Sequence, residues 1–155
     1  MKKFELTTDT KMFLGRKLFR IKALISFGNV KVGDMGGYIE KEENLSQYGN
    51  AWVYGDAKVS GDAKVSGDAK VYGNAWVYGN ADYATASGFG SECRTTTFFK
   101  LKNSDKIGVR CGCFYGTLKE FKEKVKETHG ESKKAKEYLM LADLMEYRFS
   151  EEKKA

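Results

Sequence analysis

Between residues 45 and 83 the apolar positions recur every six residues. The segment reads LSQYGN AWVYGD AKVSGD AKVSGD AKVYGN AWVYGN and then runs into ADYATA. The unit is Ala-x-Val-x-Gly-Asp/Asn. Ala and Val stand two apart, so in extended backbone both side chains point to one side. Gly-Asp and Gly-Asn tolerate unusual backbone angles and turn a corner. Val53, Val59, Val65, Val71 and Val77 fit no 3.6-residue stripe, and a glycine in every unit opposes a helix. The strands are too short and the turns too regular for a meander of hairpins. A fixed short period makes each unit one step of a stacked array. The expected fold is mainly β: a short parallel β-helix of two to three coils, each of three hexads. An eighteen-residue repeat places Trp52 against Lys70, Lys58 against Trp76, Tyr54 over Tyr72 and Ser60 over Tyr78. Ala and Val fill the interior, so the outward aromatics are surplus to it. Clustered exposed aromatics mark interfaces. Trp52, Trp76, Tyr78 and Tyr48 are therefore candidates for a subunit interface, with packing against the flanks or ligand stacking as the other readings.

The flanks have a different pattern and are the expected caps of the two open ends. Residues 1–32 are read as an N-terminal β module, 33–87 as the repeat, and 88–155 as a C-terminal cap. KFELTT, MFLG and KLFRIKALISF suggest two or three strands joined near Gly15. The glycines of VKVGDMGGYIE suggest an irregular first coil. A phosphate cradle is the alternative, although GDMGG lacks the lysine and spacing of a P-loop. TTTFFKLKNSDKIGVRCGCF reads as a β-hairpin turning at Asn103, Ser104 and Asp105. Thr117 and Glu120 form a capping box at the start of a helix with Leu118, Phe121 and Val125 inward. The break falls near Gly130. Ser132 then caps a second helix with Tyr138, Leu139, Leu141, Ala142 and Met145 on its inner face.

Charge changes this picture only mildly. The chain of 155 residues has a formal net charge of +6, no proline and one histidine. Residues 1–44 carry nine basic and six acidic side chains, and the repeat carries three and four, so the excess lies in the flanks. That balance permits anionic partners without demanding them. Arg16, Arg20 and Lys22 share a face if their segment is extended, and Arg110 lies in the C-terminal hairpin. Arginine forks beside aromatics such as Tyr54 and Tyr72 suit phosphates and bases. The plainer reading is ion pairing with Glu40, Glu42 and Glu43. Cys93, Cys111, Cys113 and His129 are of metal-ligating types, but Cys-Gly-Cys is not the spacing of a zinc knuckle. Buried thiols are expected instead, with no metal and no cofactor. No apolar run is long enough to span a membrane, and MKKFELTTDTK lacks the apolar region of a secretory signal, so the cytoplasm is the expected compartment.

The hexad resembles the repeat of left-handed β-helix proteins, best known among trimeric acyltransferases. Left-handedness and a homotrimer are implied by that resemblance. GRKLFRIKAL, GDMGGYIEKEENLSQYGNAWV and GCFYGTLKEF further resemble a family of phage- and prophage-encoded hexapeptide-repeat proteins. The acyltransferases typically use a histidine near a coil corner as general base, whereas the single histidine here, His129, lies outside the repeat. No catalytic residue is assigned. The expected function is that of a non-catalytic binding protein, holding a small anionic, nucleotide-like ligand or a host protein. An acyltransferase-like enzyme and a structural or assembly protein are the alternatives.

Overall fold

The computed structural model describes residues 2–79, 82–89, 94–101, 106–111 and 114–150. The glycines make the corners of the repeat: Gly55, Gly61, Gly67 and Gly73 have φ between 60° and 66°, a region that side-chain-bearing residues rarely occupy. Between corners the chain is extended for only two paired residues at a time. These short strands are β4 (Trp52–Val53), β5 (Lys58–Val59), β6 (Lys70–Val71) and β7 (Trp76–Val77). Trp52 pairs in parallel with Lys70, and Lys58 with Trp76. The inward residues Ala51, Val53, Ala57, Val59, Ala63, Val65, Ala69, Val71, Ala75 and Val77 are all buried and form one core.

The eighteen-residue pairing is present, but the expected left-handed parallel β-helix is not the fold. Among the described residues eleven strands lie in three sheets, and no sheet is closed or wound as a solenoid. The largest is mixed and five-stranded. It comprises β1 (Phe4–Phe13), β2 (Arg16–Ala23), β3 (Met35–Ile39), β5 and β7, in that order. The second is the two-stranded parallel pair β4–β6. The third is antiparallel, in the order β11 (Phe114–Thr117), β10 (Ile107–Cys111), β9 (Arg94–Lys100) and β8 (Tyr83–Phe89). Two features explain the difference. On the third side of the hexads only an isolated bridge forms, Leu45 to Val65, where a solenoid requires a third continuous ladder. The last hexad also leaves the stack: Tyr83 and Ala84 pair antiparallel with Phe99 and Phe98.

The N-terminal module is built into the repeat's own sheet. β1 and β2 form a hairpin turning at Leu14-Gly15. β2 pairs antiparallel with β3, and β3 pairs in parallel with β5. The boundary expected between residues 32 and 33 thus falls between two neighbouring strands. Gly36 and Gly37 belong to β3 and are buried, packed against Ile21, Trp52 and Val53. A Cβ on Gly37 would lie 2.6 Å from the Ala57 carbonyl oxygen and 2.7 Å from Val53 Cγ1. Glycine here permits the close approach of β3 to the hexads. Trp52, expected to face outward at an interface, is instead 1% exposed. Its ring is covered edge-on by Phe4 and Phe27, at 6.3 and 5.3 Å between centroids. Lys3 lies beside it, also buried, with Nζ donating to the Ala51 carbonyl at 2.8 Å.

The C-terminal part follows its local signals. The hairpin β9–β10 is antiparallel, and its expected turn at residues 103–105 lies outside the described residues. Thr117 caps α1 (Leu118–His129) with the reciprocal Glu120 bond. The glutamate takes up an otherwise orphaned backbone N–H, and its carboxyl is held below the usual range first by that bond. Gly130 ends the helix with φ 58°. Ser132 caps α2 (Lys133–Phe149) through the Ala135 N–H. The two helices pack on the antiparallel sheet through Phe98, Val109, Leu118, Phe121, Val125, Tyr138 and Ala142.

One buried side chain substitutes for the missing ladder on the third side. Asn44, fully buried, donates to the Gly61 and Ala63 carbonyls at 3.1 and 2.9 Å and accepts from the Lys41 N–H at 2.9 Å. Asn44→Ala leaves these three backbone groups without their partner. It should lower unfolding free energy in urea by roughly 1–3 kcal/mol, the range for leaving a buried polar group unsatisfied. A loss below measurement error would show that the third side does not depend on this residue.

Candidate functional site

The parallel register determines which outward side chains meet. Tyr54 follows β4 and Tyr72 follows β6 at the same offset, and the Tyr54 N–H donates to the Val71 carbonyl at 2.8 Å. Their rings stack at 4.1 Å with an interplanar angle of 14°. The antiparallel sheet docks beside them. The Lys70 N–H donates to Thr97 Oγ1 at 3.0 Å, Ala75 bridges to Leu101, and the Tyr83 hydroxyl bonds to the Lys64 carbonyl. On that sheet Arg110 pairs with Thr97 on one side and Tyr115 on the other. This places the Arg110 guanidinium 4.5 Å over the Tyr72 ring. Tyr115 completes the group, tilted against Tyr72 at 5.5 Å. Gly73 makes room for it: with φ 62° and no side chain, it lies where a Cβ would overlap the Tyr115 hydroxyl.

Electrostatically the cluster is unusual for its arginine. Among the described residues Arg110 has no carboxylate partner, and its Nε is buried without a hydrogen-bond partner. A buried N–H of this kind normally finds an acceptor. The Tyr54 phenol is pushed up to about 12, first by burial and then by the Tyr72 ring, with Arg110 acting in the opposite direction. At neutral pH it is a hydroxyl donor beside a cation.

The other sequence candidates separate from this group. Arg16 Nη1 donates to both oxygens of Glu40 at 2.8 and 3.1 Å. Glu40 also accepts from the Gly61 N–H at 2.9 Å, which is the main cause of its lowered pKa. Arg20 lies 3.7 Å from both Asp9 and Asp56 and 4.8 Å over the Tyr38 ring. The ion-pair reading thus describes Arg16 and Arg20, with Glu40 the one expected partner that takes part. Lys22 is exposed on β2, opposite Glu5. Trp76 is half-buried between Phe13 at 5.0 Å and Tyr78 at 4.9 Å, so the end of the β1–β2 hairpin covers part of the second aromatic face. Tyr48 is 85% exposed. His129 stacks on Tyr138 at the end of α1, at 6.1 Å. Cys111 is a half-buried free thiol accepting from Thr96, and Cys93 and Cys113 lie outside the described residues. No group of metal-ligating side chains assembles among the described residues, and no helix there is long and apolar enough to cross a membrane.

Tyr115 and Tyr38 were not foreseen as members of these clusters. Tyr115 reaches Tyr72 only because the antiparallel sheet docks on the hexads, and Tyr38 meets Arg20 only through the β2–β3 register, neither of which a local pattern encodes. No protein-family model matches the chain, and no curated protein matches it.

The raised Tyr54 phenol has a defined pH signature. Its folded value lies above the ordinary 10.0, at about 12, so its protonated form favours the folded chain. That contribution is complete below pH 10 and is lost as pH rises towards 12. The stability advantage of the wild type over Tyr54→Phe should therefore shrink across this window. In ultraviolet phenolate titration the same substitution should remove one tyrosine that ionises near 12; an unchanged high-pH end of the titration in Tyr54→Phe would contradict the assignment.

Proposed function

We propose that the protein is a non-catalytic, homotrimeric binding protein of phage type that sequesters a small anionic, nucleotide-like host ligand, such as a nucleotide immune signal, in the host cytosol. The observation that carries this reading is Arg110 lying over Tyr72 with no carboxylate partner among the described residues and with Nε unsatisfied. A guanidinium held by an aromatic face and lacking an anion is arranged to accept phosphate oxygens. Tyr115, 43% exposed beside it, offers aromatic surface for a base. Tyr54 adds a neutral hydroxyl to the same group. Arg16 and Arg20 are engaged with carboxylates in the free protein, so their part in binding would require exchange of those pairs. The cluster lies on an outer face, and a neighbouring subunit would supply the opposite wall of a cleft. The phage assignment rests on the resemblance of the quoted sequence segments, and the trimer on the resemblance of the hexad to that of trimeric acyltransferases.

Isothermal titration against a panel of cyclic di- and trinucleotides tests the reading. At least one should bind, and Arg110→Ala should weaken it roughly tenfold or more, as expected for a lost charge-assisted bond. Arg110→Lys should not restore affinity, because an ammonium lacks the planar fork. Absence of binding across the panel would overturn the nucleotide reading. Mass photometry should give a multiple of three chains; a monodisperse monomer would remove the cleft between subunits.

A further inference from the structure

Helix α2 has two apolar faces. One is buried on the antiparallel sheet through Ala135, Tyr138, Ala142 and Met145. The opposite face carries Met140, Leu144 and Tyr147, which are 71%, 54% and 80% exposed. The spacing of four and then three residues keeps them on a single stripe, the seam used when helices pair. With Glu137 and Arg148 at its two ends, the stripe spans an arc of about 100°. A single-sided amphipathic helix would present polar side chains at these positions.

The charges decide what does cover it. Among the described residues neither Glu137 nor Arg148 has an ion-pair partner; the pairs of this region run from Lys122 to Asp143 and Glu146 and from Lys124 to Glu127. Glu137 lies five residues before the midpoint of Met140 and Leu144 and Arg148 six residues after it, a mismatch of about 1.5 Å along the helix that both long side chains can span. If a second α2 crosses antiparallel on a two-fold axis at that midpoint, Met140 meets Leu144 of the other copy. Glu137 of each copy then meets Arg148 of the other, giving two equivalent ion pairs. A parallel arrangement would set Glu137 against Glu137 and Arg148 against Arg148. The stripe is therefore self-complementary in one direction only, as a two-fold interface must be. A groove of about 620 Å³ along the same side, lined by Tyr83, Thr85, Leu144, Tyr147 and Arg148, extends the surface from the helix onto the edge strand β8. We infer that this face of α2 is a docking surface for a second copy of the chain, related by a two-fold axis through antiparallel α2 helices.

The inference is independent of the ligand site and of the trimer. Mass photometry and sedimentation of the full chain read it directly. The wild type should contain an even number of chains: six if the trimer also forms, two if it does not. Leu144→Glu, at an exposed position, should halve that mass with an unchanged circular dichroism spectrum. Glu137→Arg and Arg148→Glu should each weaken association at least severalfold, and the double swap should restore it. An unchanged mass in Leu144→Glu, a wild-type monomer at tens of micromolar, or failure of the double swap to restore association would overturn the antiparallel pairing. A halved mass together with loss of the factor of three would retain this interface and remove the trimer alone.

Discussion

The constraint on which the rest of the structure depends is the narrowness of the space inside the hexads. From Ala51 to Val77 only Ala and Val occupy it, and their side chains are excluded from water almost completely. An interior of small side chains holds the backbones close together. The glycine corners with positive φ are the consequence, because a side chain there would force the chain out of the turn. Gly36 and Gly37 apply the same condition to the approach of β3. From this packing follows the parallel pairing of residues eighteen apart, and from that pairing follows the order of everything on the outside.

The outside order is what gives the aromatic residues their meaning. The same offset that puts Val53 beside Val71 puts Tyr54 on Tyr72. The aromatic side chains then diverge because different flanks meet them. The N-terminal segment closes over Trp52 with Phe4 and Phe27 and reaches Trp76 with Phe13. The antiparallel sheet brings Arg110 and Tyr115 to Tyr72, and among the described residues no carboxylate pairs with the guanidinium. Trp52 has thus become core, whereas Tyr72 remains at a half-buried face beneath a cation.

Local periodicity was legible in the sequence wherever a single segment encodes it. The hexad pairing of Lys58 with Trp76, the Thr117–Glu120 capping box and the breaks at Gly15 and Gly130 all depend on neighbours a few residues away or on one repeated unit. The closure into a left-handed β-helix was not encoded in this way. It required a third ladder, and the segment that would supply it contributes Asn44 and a single bridge at Leu45. The burial of Trp52 was hidden for a related reason. A tryptophan at an outward strand position looks exposed until Lys3, Phe4 and Phe27 are placed over it, and nothing in the hexad announces that cover. Within the candidate site Tyr54 and Tyr72 could be paired by counting, whereas Tyr115 opposite Arg110 depends on the register of β10 with β11.

Identical repeats raise a further physical problem, that of register. The hexads beginning at Ala57 and Ala63 have the same sequence, so sliding the chain by one unit would leave the apolar interior nearly unchanged. Hydrophobic burial alone cannot select one register from the other, since it is non-directional. The backbone groups that Asn44 and Glu40 bind recur in every hexad, so they do not discriminate either. The outward side chains can. A slip of six residues would take Tyr54 off Tyr72 and move Trp52 from beneath Phe4 and Phe27. Aromatic contacts of this kind depend on geometry as well as on area. The repeat therefore supplies most of the apolar burial in this half of the protein, and the outward aromatics with the residues that cover them determine which of several nearly equivalent stacks is formed. Arg110 inherits its position over Tyr72 from that choice.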